Sequence, residues 1–330
     1  LEPDETLEGA ARALAALAPE PARYHNVLTG TAGWTDPTLI KQSTFYPRGV
    51  RTAQARLEHY ASQFGFVEVD ATYYTLISEE TTRRWAEATP SAFQFHIKAH
   101  PIVTGHPIDV VRLPGDLRQV MQAAGFEQRV YPDKLPAELR RELERRFEAP
   151  LAPLRDAGKL TGVLAQFPPW FSATRGNARV IEDLKARFPG LPFTVEFRHK
   201  SWLEEERRSR VFDLLRALGY AYVVVDEPEG STGGVPAVPV VTNPELSVVR
   251  FHGRNVSGWS KKGASVQERF NYLYAPAELS EWKERMVQLS GGARQVHAVF
   301  NNCVRDYAVI GAKGLIAVLE GAKPNAPVRT

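Results

Sequence analysis

A single cysteine, Cys303, stands among 330 residues. That excludes a disulfide framework and any cysteine-rich zinc module. No apolar run approaches the roughly 18 residues that a membrane-crossing helix needs. Charge of one sign is also lacking: 41 Lys and Arg against 38 Asp and Glu leave +3. Such a balance does not demand a polyanionic partner, although a local basic patch stays open. Internal repeats and low-complexity tracts are missing. Residues 1–26 carry acids and an arginine where a signal peptide needs a basic and then an apolar run, so the expectation is a cytoplasmic protein with no membrane partner.

What is present suits a large core: 43% hydrophobic and 24% charged residues. Short runs rich in β-branched and aromatic residues predict strands at Val27–Thr31, Phe66–Asp70, Phe93–Lys98, Thr161–Phe167, Pro192–Phe197, Tyr222–Asp226, Ser247–His252 and Gln295–Phe300. Helical stripes lie between them, such as Leu57, Tyr60, Ala61 and Phe64, or Val211, Phe212, Leu215 and Leu218 with Gly219 as the stop. Strand and helix alternating this way give parallel strands joined by crossovers. The reading is a TIM-type (β/α)8 barrel, with a doubly wound open sheet as the competing architecture. A helical extension takes residues 1–26, one barrel domain takes 27–322, and a tail takes 323–330. The barrel carries an insertion at about 101–160, after the third strand. That stretch holds several prolines and a charged helix, AELRRELERRF, and reads as a lid or an insertion. A second long loop runs from Glu227 to Pro244.

In a barrel of this kind the chemistry sits at the carboxyl ends of the strands. The polar residues fall there. VEVDATYY puts Glu68 and Asp70 on one strand face, and FQFHIKAH puts Gln94, His96 and Lys98 on one face. AQFPPWF ends the fourth strand at Gln166, and VEFRHKSW gives Glu196 and Arg198. The sixth strand ends at Asp226, VRFHGRN gives Arg250, His252 and Arg254, and FNNC gives Asn301 and Asn302. A buried charge is costly unless paired. If the barrel closes, Lys98, Arg198 and Arg250 meet Glu68, Glu196 and Asp226 at one mouth. These six either form a ligand site or merely neutralise one another.

Those motifs, with TGTAGW (Thr29–Trp34), TFYP (Thr44–Pro47), VVVDEP (Val223–Pro228) and YLYAPAEL (Tyr272–Leu279) in the same order, resemble the YecE-like family, domain of unknown function 72. The resemblance covers about residues 27–320. It implies a TIM-type barrel with a polar pocket, and no established reaction. By fold analogy that pocket resembles the one in endonuclease-IV-like barrels, which bind DNA.

An anionic ligand, phosphorylated or carboxylated, fits the residues best. Lys98, Arg198, Arg250 and Arg254 supply positive groups, and arginine suits phosphate or carboxylate. Gln166, Asn301 and Asn302 would orient it, with Trp34 and Tyr73 lining the mouth. Ordinary roles compete: a surface loop for Arg254, and helix caps for the two asparagines. Glu196 and His252 would move protons, because each shares a strand face with an arginine; Glu68 and Asp226 would tune them. The chemistry would be acid–base or hydrolytic, with no organic cofactor. A divalent metal stays open through His96, His100, His199 and His252, though three cations at the mouth oppose it. A Schiff-base role for Lys98 suffers because neighbouring carboxylates should raise its pKa. Cys303 reads as a small buried residue. Two other classes stay open. One is a nucleic-acid-binding protein, on the basic and aromatic mouth. The other is a non-catalytic scaffold or sensor, with the long third connection as its surface.

Overall fold

The computed structural model describes residues 5–228, 234–302 and 304–322. Cys303, the tail 323–330 and residues 229–233 of the Glu227–Pro244 loop lie outside the described residues. The chain forms a TIM-type barrel. Its strands are β1 (Val27–Thr31), β2 (Phe66–Val69), β3 (Gln94–Lys98), β4 (Leu160–Gln166), β5 (Phe193–Glu196), β6 (Ala221–Asp226), β7 (Leu246–Phe251) and β8 (Gln295–Phe300). Each pairs in parallel with its neighbours, and β8 returns to β1 through a full ladder. The remaining joint, between β1 and β2, is made by one bridge, Ala32 to Glu68. Gly30 lets the two strands approach there: a Cβ on it would lie 2.4 Å from the Phe66 carbonyl oxygen.

These segments become central strands because both faces are covered. β6 and β7 are buried at every position, which is why they read as nearly continuous apolar runs. The helices start where short polar side chains can accept orphan backbone N–H groups. Thr52, Ser78 and Thr174 each cap one this way. Gly219, at φ +75°, ends the helix Glu205–Leu218. The last helix, Tyr307–Leu319, is apolar except at Lys313 and almost wholly buried. The N-terminal helix Glu5–Ala15 packs on it, fastened by Arg12 to Asp306 at 2.7 and 2.9 Å.

The charged helix of the third connection, Ala137–Glu148, is not a lid. It is part of the crossover that carries the chain from β3 to β4, burying Leu143 and Phe147. Glu144 on it takes Arg187, at the end of the helix that follows β4, at 2.7 Å. The part of the insertion left beside the mouth is shorter. It comprises an antiparallel pair, Ile108–Asp109 with Arg129–Val130, and the helix Gly115–Ala123 between them.

Inside the cylinder the side chains form layers. The lower one holds Phe66, His96 and His297. The Phe66 and His297 rings stack at 4.4 Å, and His297 Nδ1 lies 2.8 Å from His96 Nε2. Gly162 makes room, since a Cβ there would sit 3.1 Å from His96 Nε2. The layer above it is ionic.

Candidate functional site at the barrel mouth

Arg250 occupies the middle of the barrel and is fully buried. Its guanidinium grips Glu68 through Nε at 3.0 Å and Nη2 at 2.6 Å, and Glu196 through Nη1 at 2.6 Å. The fork matches two carboxylates from opposite walls, which an ammonium cannot do. Burial opposes the charge on Arg250, but Glu196 and Glu68 outweigh it. Arg250 is expected from the sequence to bind ligand; three of its five N–H groups are engaged by these two carboxylates, and no edge of it reaches solvent.

Glu196 gathers further donors. Gln166 Nε2 donates at 2.6 Å, Arg198 Nη1 at 3.2 Å, and His252 Nε2 stands 3.3 Å away. Burial alone would raise its pKa; Arg250, His252 and Arg198 together hold it well below the usual carboxylate range. A carboxylate held that firmly in its ionised form is a poor proton shuttle. His252 is buried and falls to about 3, so it is a neutral imidazole. With Nε2–H donating to Glu196, its Nδ1 accepts from Asn301 Nδ2 at 3.1 Å. Both ring nitrogens are engaged. The geometry ties Glu196 and His252 into the ionic frame around Arg250.

Other groups are left with chemistry to do. Lys98 ends β3, and its Nζ has no hydrogen bond or ion pair among the described residues. It lies 4.9 Å from the centre of the Tyr73 ring. Burial and then Arg250 lower its pKa, against Asp70, Glu68 and Glu196, which raise it. The expectation that nearby carboxylates win is corrected, because burial and the Arg250 charge together outweigh them. Arg198 donates Nη1 to Glu196 and also to Glu227, the latter at 2.8 Å, and lies over the Trp259 ring at 4.8 Å. Its other N–H groups find no acceptor among the described residues. Glu227 also accepts from the Val235 N–H at 2.7 Å, and burial pushes it up to about 7. Asp70, just past β2, is raised by burial, with Lys98 and Arg250 pulling the other way.

Four expected mouth residues lie elsewhere. Asp226 points outward between the barrel and its helices. It accepts from Arg254 at 2.8 and 2.9 Å, from Tyr274 at 3.3 Å and from the Trp282 indole. Arg254 is thereby consumed, with Glu281 as a further partner at 2.8 Å. Asn302 is buried and donates to the Tyr272 carbonyl at 2.7 Å. Trp34 packs into the core, edge-on to Trp85 at 5.3 Å. The residue sequence reasoning missed is Glu227. In VVVDEP it shares a face with Val223 and Val225, and Val225 sits level with Arg250; both faces of that strand are apolar, so composition hides which side faces in.

The four histidines considered as metal ligands go to four places. His96 pairs with His297 below the ionic layer, His100 and His199 accept N–H groups at helix starts, and His252 joins Glu196. Among the described residues no three His, Cys, Asp or Glu side chains are placed to hold a metal ion. No helix is long and apolar enough to cross a membrane.

The chain is similar to proteins of several bacteria. It is 31% identical over 297 residues to the UPF0759 protein YunF of Bacillus subtilis (strain 168), covering 89% of this chain and 95% of that one. The crystal structure of a DUF72 family protein from Thermotoga maritima MSB8 superposes with a TM-score of 0.69 at 31% identity, over 90% of this chain and all of that one. One from Enterococcus faecalis V583 gives a TM-score of 0.73 at 26% identity, over 90% and 96%. The family model described as "Protein of unknown function DUF72" matches residues 28–330. The chain belongs to the DUF72 family.

Proposed function

We propose that the barrel mouth binds a small anionic ligand, phosphorylated or carboxylated, between Lys98 Nζ and the free edge of Arg198. The observation that carries this reading is the bare Lys98 ammonium. A half-buried cation without a counter-ion is costly to maintain. Glu68 and Glu196 are committed to Arg250 and Asp70 makes no ion pair with Lys98, so an incoming anion supplies the missing partner. Arg250, Glu68 and Glu196 form the rigid frame that sets this position. Proton transfer to or from the ligand then falls to Glu227, at about 7, and to Asp70, whose pKa is also raised. Acid–base or hydrolytic chemistry on the bound anion follows from that pairing of cation and protonatable carboxyl. Glu227 beside Arg198 also makes anion affinity fall as pH rises through 7, because the ionised carboxylate then competes for the guanidinium.

Calorimetric titration with inorganic phosphate and with acetate tests this. Saturable binding that weakens at least about tenfold in Lys98→Met supports it. Equal affinity in the folded variant overturns it. A nucleic-acid partner is a weaker second reading. Arg145 and Arg146 of the charged crossover helix are tied to Glu142, so that helix offers less free charge than its sequence promises. Oligonucleotide binding whose logarithm falls linearly with the logarithm of salt concentration would favour it over the small anion.

A further inference from the structure

Next to Lys98, three loops enclose a cavity of about 290 Å³. Tyr73 and Tyr74 come from the loop after β2, His106 from the one after β3, and Trp170 from the one after β4. Their rings run edge to face without a break: Tyr73 to Tyr74 at 5.1 Å, Tyr73 to His106 at 5.4 Å, and His106 to Trp170 at 5.7 Å. Trp170 is 58% exposed, whereas Trp34, Trp202, Trp259 and Trp282 are all buried. Packing does not account for a tryptophan left open on a pocket wall.

The charges at this cavity say what fits it. An aromatic cage of this kind suits a cation when no positive group stands near. Here Arg112 lies over the Tyr74 ring at 5.4 Å, and its nearby carboxylate, Asp109, is paired with it at 3.3 Å. The side chain of Arg129, on the same lining, has no hydrogen bond or ion pair among the described residues. On the inner side, Lys98 Nζ stands 4.9 Å from the Tyr73 ring. His106 is kept neutral by burial and by Lys98, at about 4, and its Nδ1 is held by Thr104 Oγ1 at 2.8 Å. Free positive groups therefore sit on both sides of a ring-lined slot. Ligand pockets of about 300–1,000 Å³ hold drug-sized molecules, so this one suits a single ring with its substituents.

We propose that this cavity is a subsite for the aromatic ring of an anionic ligand, the ring lying against Tyr73 and Trp170 and its phosphate or carboxylate meeting Lys98 or Arg129. The assignment rests on the reading that Lys98 holds the anion and adds the class of molecule that carries it.

Titration by Trp170 fluorescence and calorimetry tests it, using phenyl phosphate, benzoate, inorganic phosphate, acetate and cyclohexanecarboxylate as probes. Aromatic anions should bind roughly five- to tenfold more tightly than the simple anion with the same headgroup, and more tightly than the saturated ring. The stronger of phenyl phosphate and benzoate identifies the headgroup. Trp170→Ala should remove most of the gain while Trp170→Phe keeps it, and Arg129→Ala should weaken the aromatic anions a few-fold. All three changes are at exposed positions, so the fold persists. Equal affinity for aryl and simple anions, or a gain untouched by Trp170→Ala, overturns the subsite while leaving simple-anion binding at Lys98 intact. Failure of every probe to bind the wild-type protein overturns both readings.

Discussion

Arg250 and Glu68, 182 positions apart in the chain, meet inside the barrel through two parallel hydrogen bonds of 3.0 and 2.6 Å. Each would be an intolerable buried charge without the other. Removing one partner strands the second in a dry interior, at a cost of about 3–5 kcal/mol. Arg250→Met should therefore lower the denaturant midpoint sharply. Arg250→Lys should rescue little, because one ammonium cannot serve Glu68 and Glu196 together. Urea unfolding followed by circular dichroism measures both; a midpoint unchanged in Arg250→Met would deny the pair its structural weight.

Lys98 should behave in the opposite sense. It has no counter-ion, so Lys98→Met keeps the volume and removes a desolvation penalty. The expected outcome is a protein more stable by about 1 kcal/mol that no longer holds the anion. Calorimetric melting of both proteins without ligand decides it: a lower melting temperature in the variant would mean the ammonium is already satisfied.

Acid should unfold this protein early. His96, His100 and His252 each drop from 6.5 to about 3 because burial penalises the imidazolium. Above pH 6.5 they are neutral in both states and nothing is lost. As pH falls from there toward 3, the unfolded chain takes up protons that the native fold refuses. Each histidine then costs up to about 1.4 kcal/mol per pH unit, or roughly 4 for the three. Stability measured at pH 7, 6 and 5 should fall progressively faster. A flat profile down to pH 4 would show these rings protonated in the fold.

Asp226 and Arg254 should prove structural. Asp226→Asn weakens the contacts to Arg254 and to the Trp282 indole, and Arg254→Ala exposes Asp226. Each change should destabilise by about 1–3 kcal/mol while leaving anion affinity within twofold. Loss of affinity in a folded Arg254→Ala protein would return that arginine to the ligand site.

The sequence carried the architecture because each strand and helix has its own periodic signature, and eight of each in turn close in few ways. It also carried the inner ionic frame: Glu68, Glu196 and Arg250 lie two apart from other polar residues on strands, and alternation points them inward. Alternation failed where a backbone stopped obeying it. Arg250, His252 and Arg254 would share one face of an ideal strand, but Gly253 at φ +85° turns the chain and sends Arg254 outward. In β8 the inward series is His297, Val299, Asn301, so Asn302 faces away. The sixth strand, apolar on both sides, gave no clue that Glu227 and not Asp226 enters the mouth. The pairing of groups was illegible for another reason. Whether Lys98 or Arg250 takes the carboxylates depends on reach across the barrel, a distance no local pattern encodes.

The barrel wall is not equally strong all the way round. β1 meets β8 along five successive residue pairs but meets β2 at a single point. Across the bore from that seam, the arginine of β7 pulls on Glu68 like a tie-rod, holding shut from within an edge that the backbone barely stitches. The cylinder should part there first, with the earliest amide exchange along β2. The loop bearing Asp70 and Tyr73 hangs from that strand, so the same loose edge would give a guest its way in.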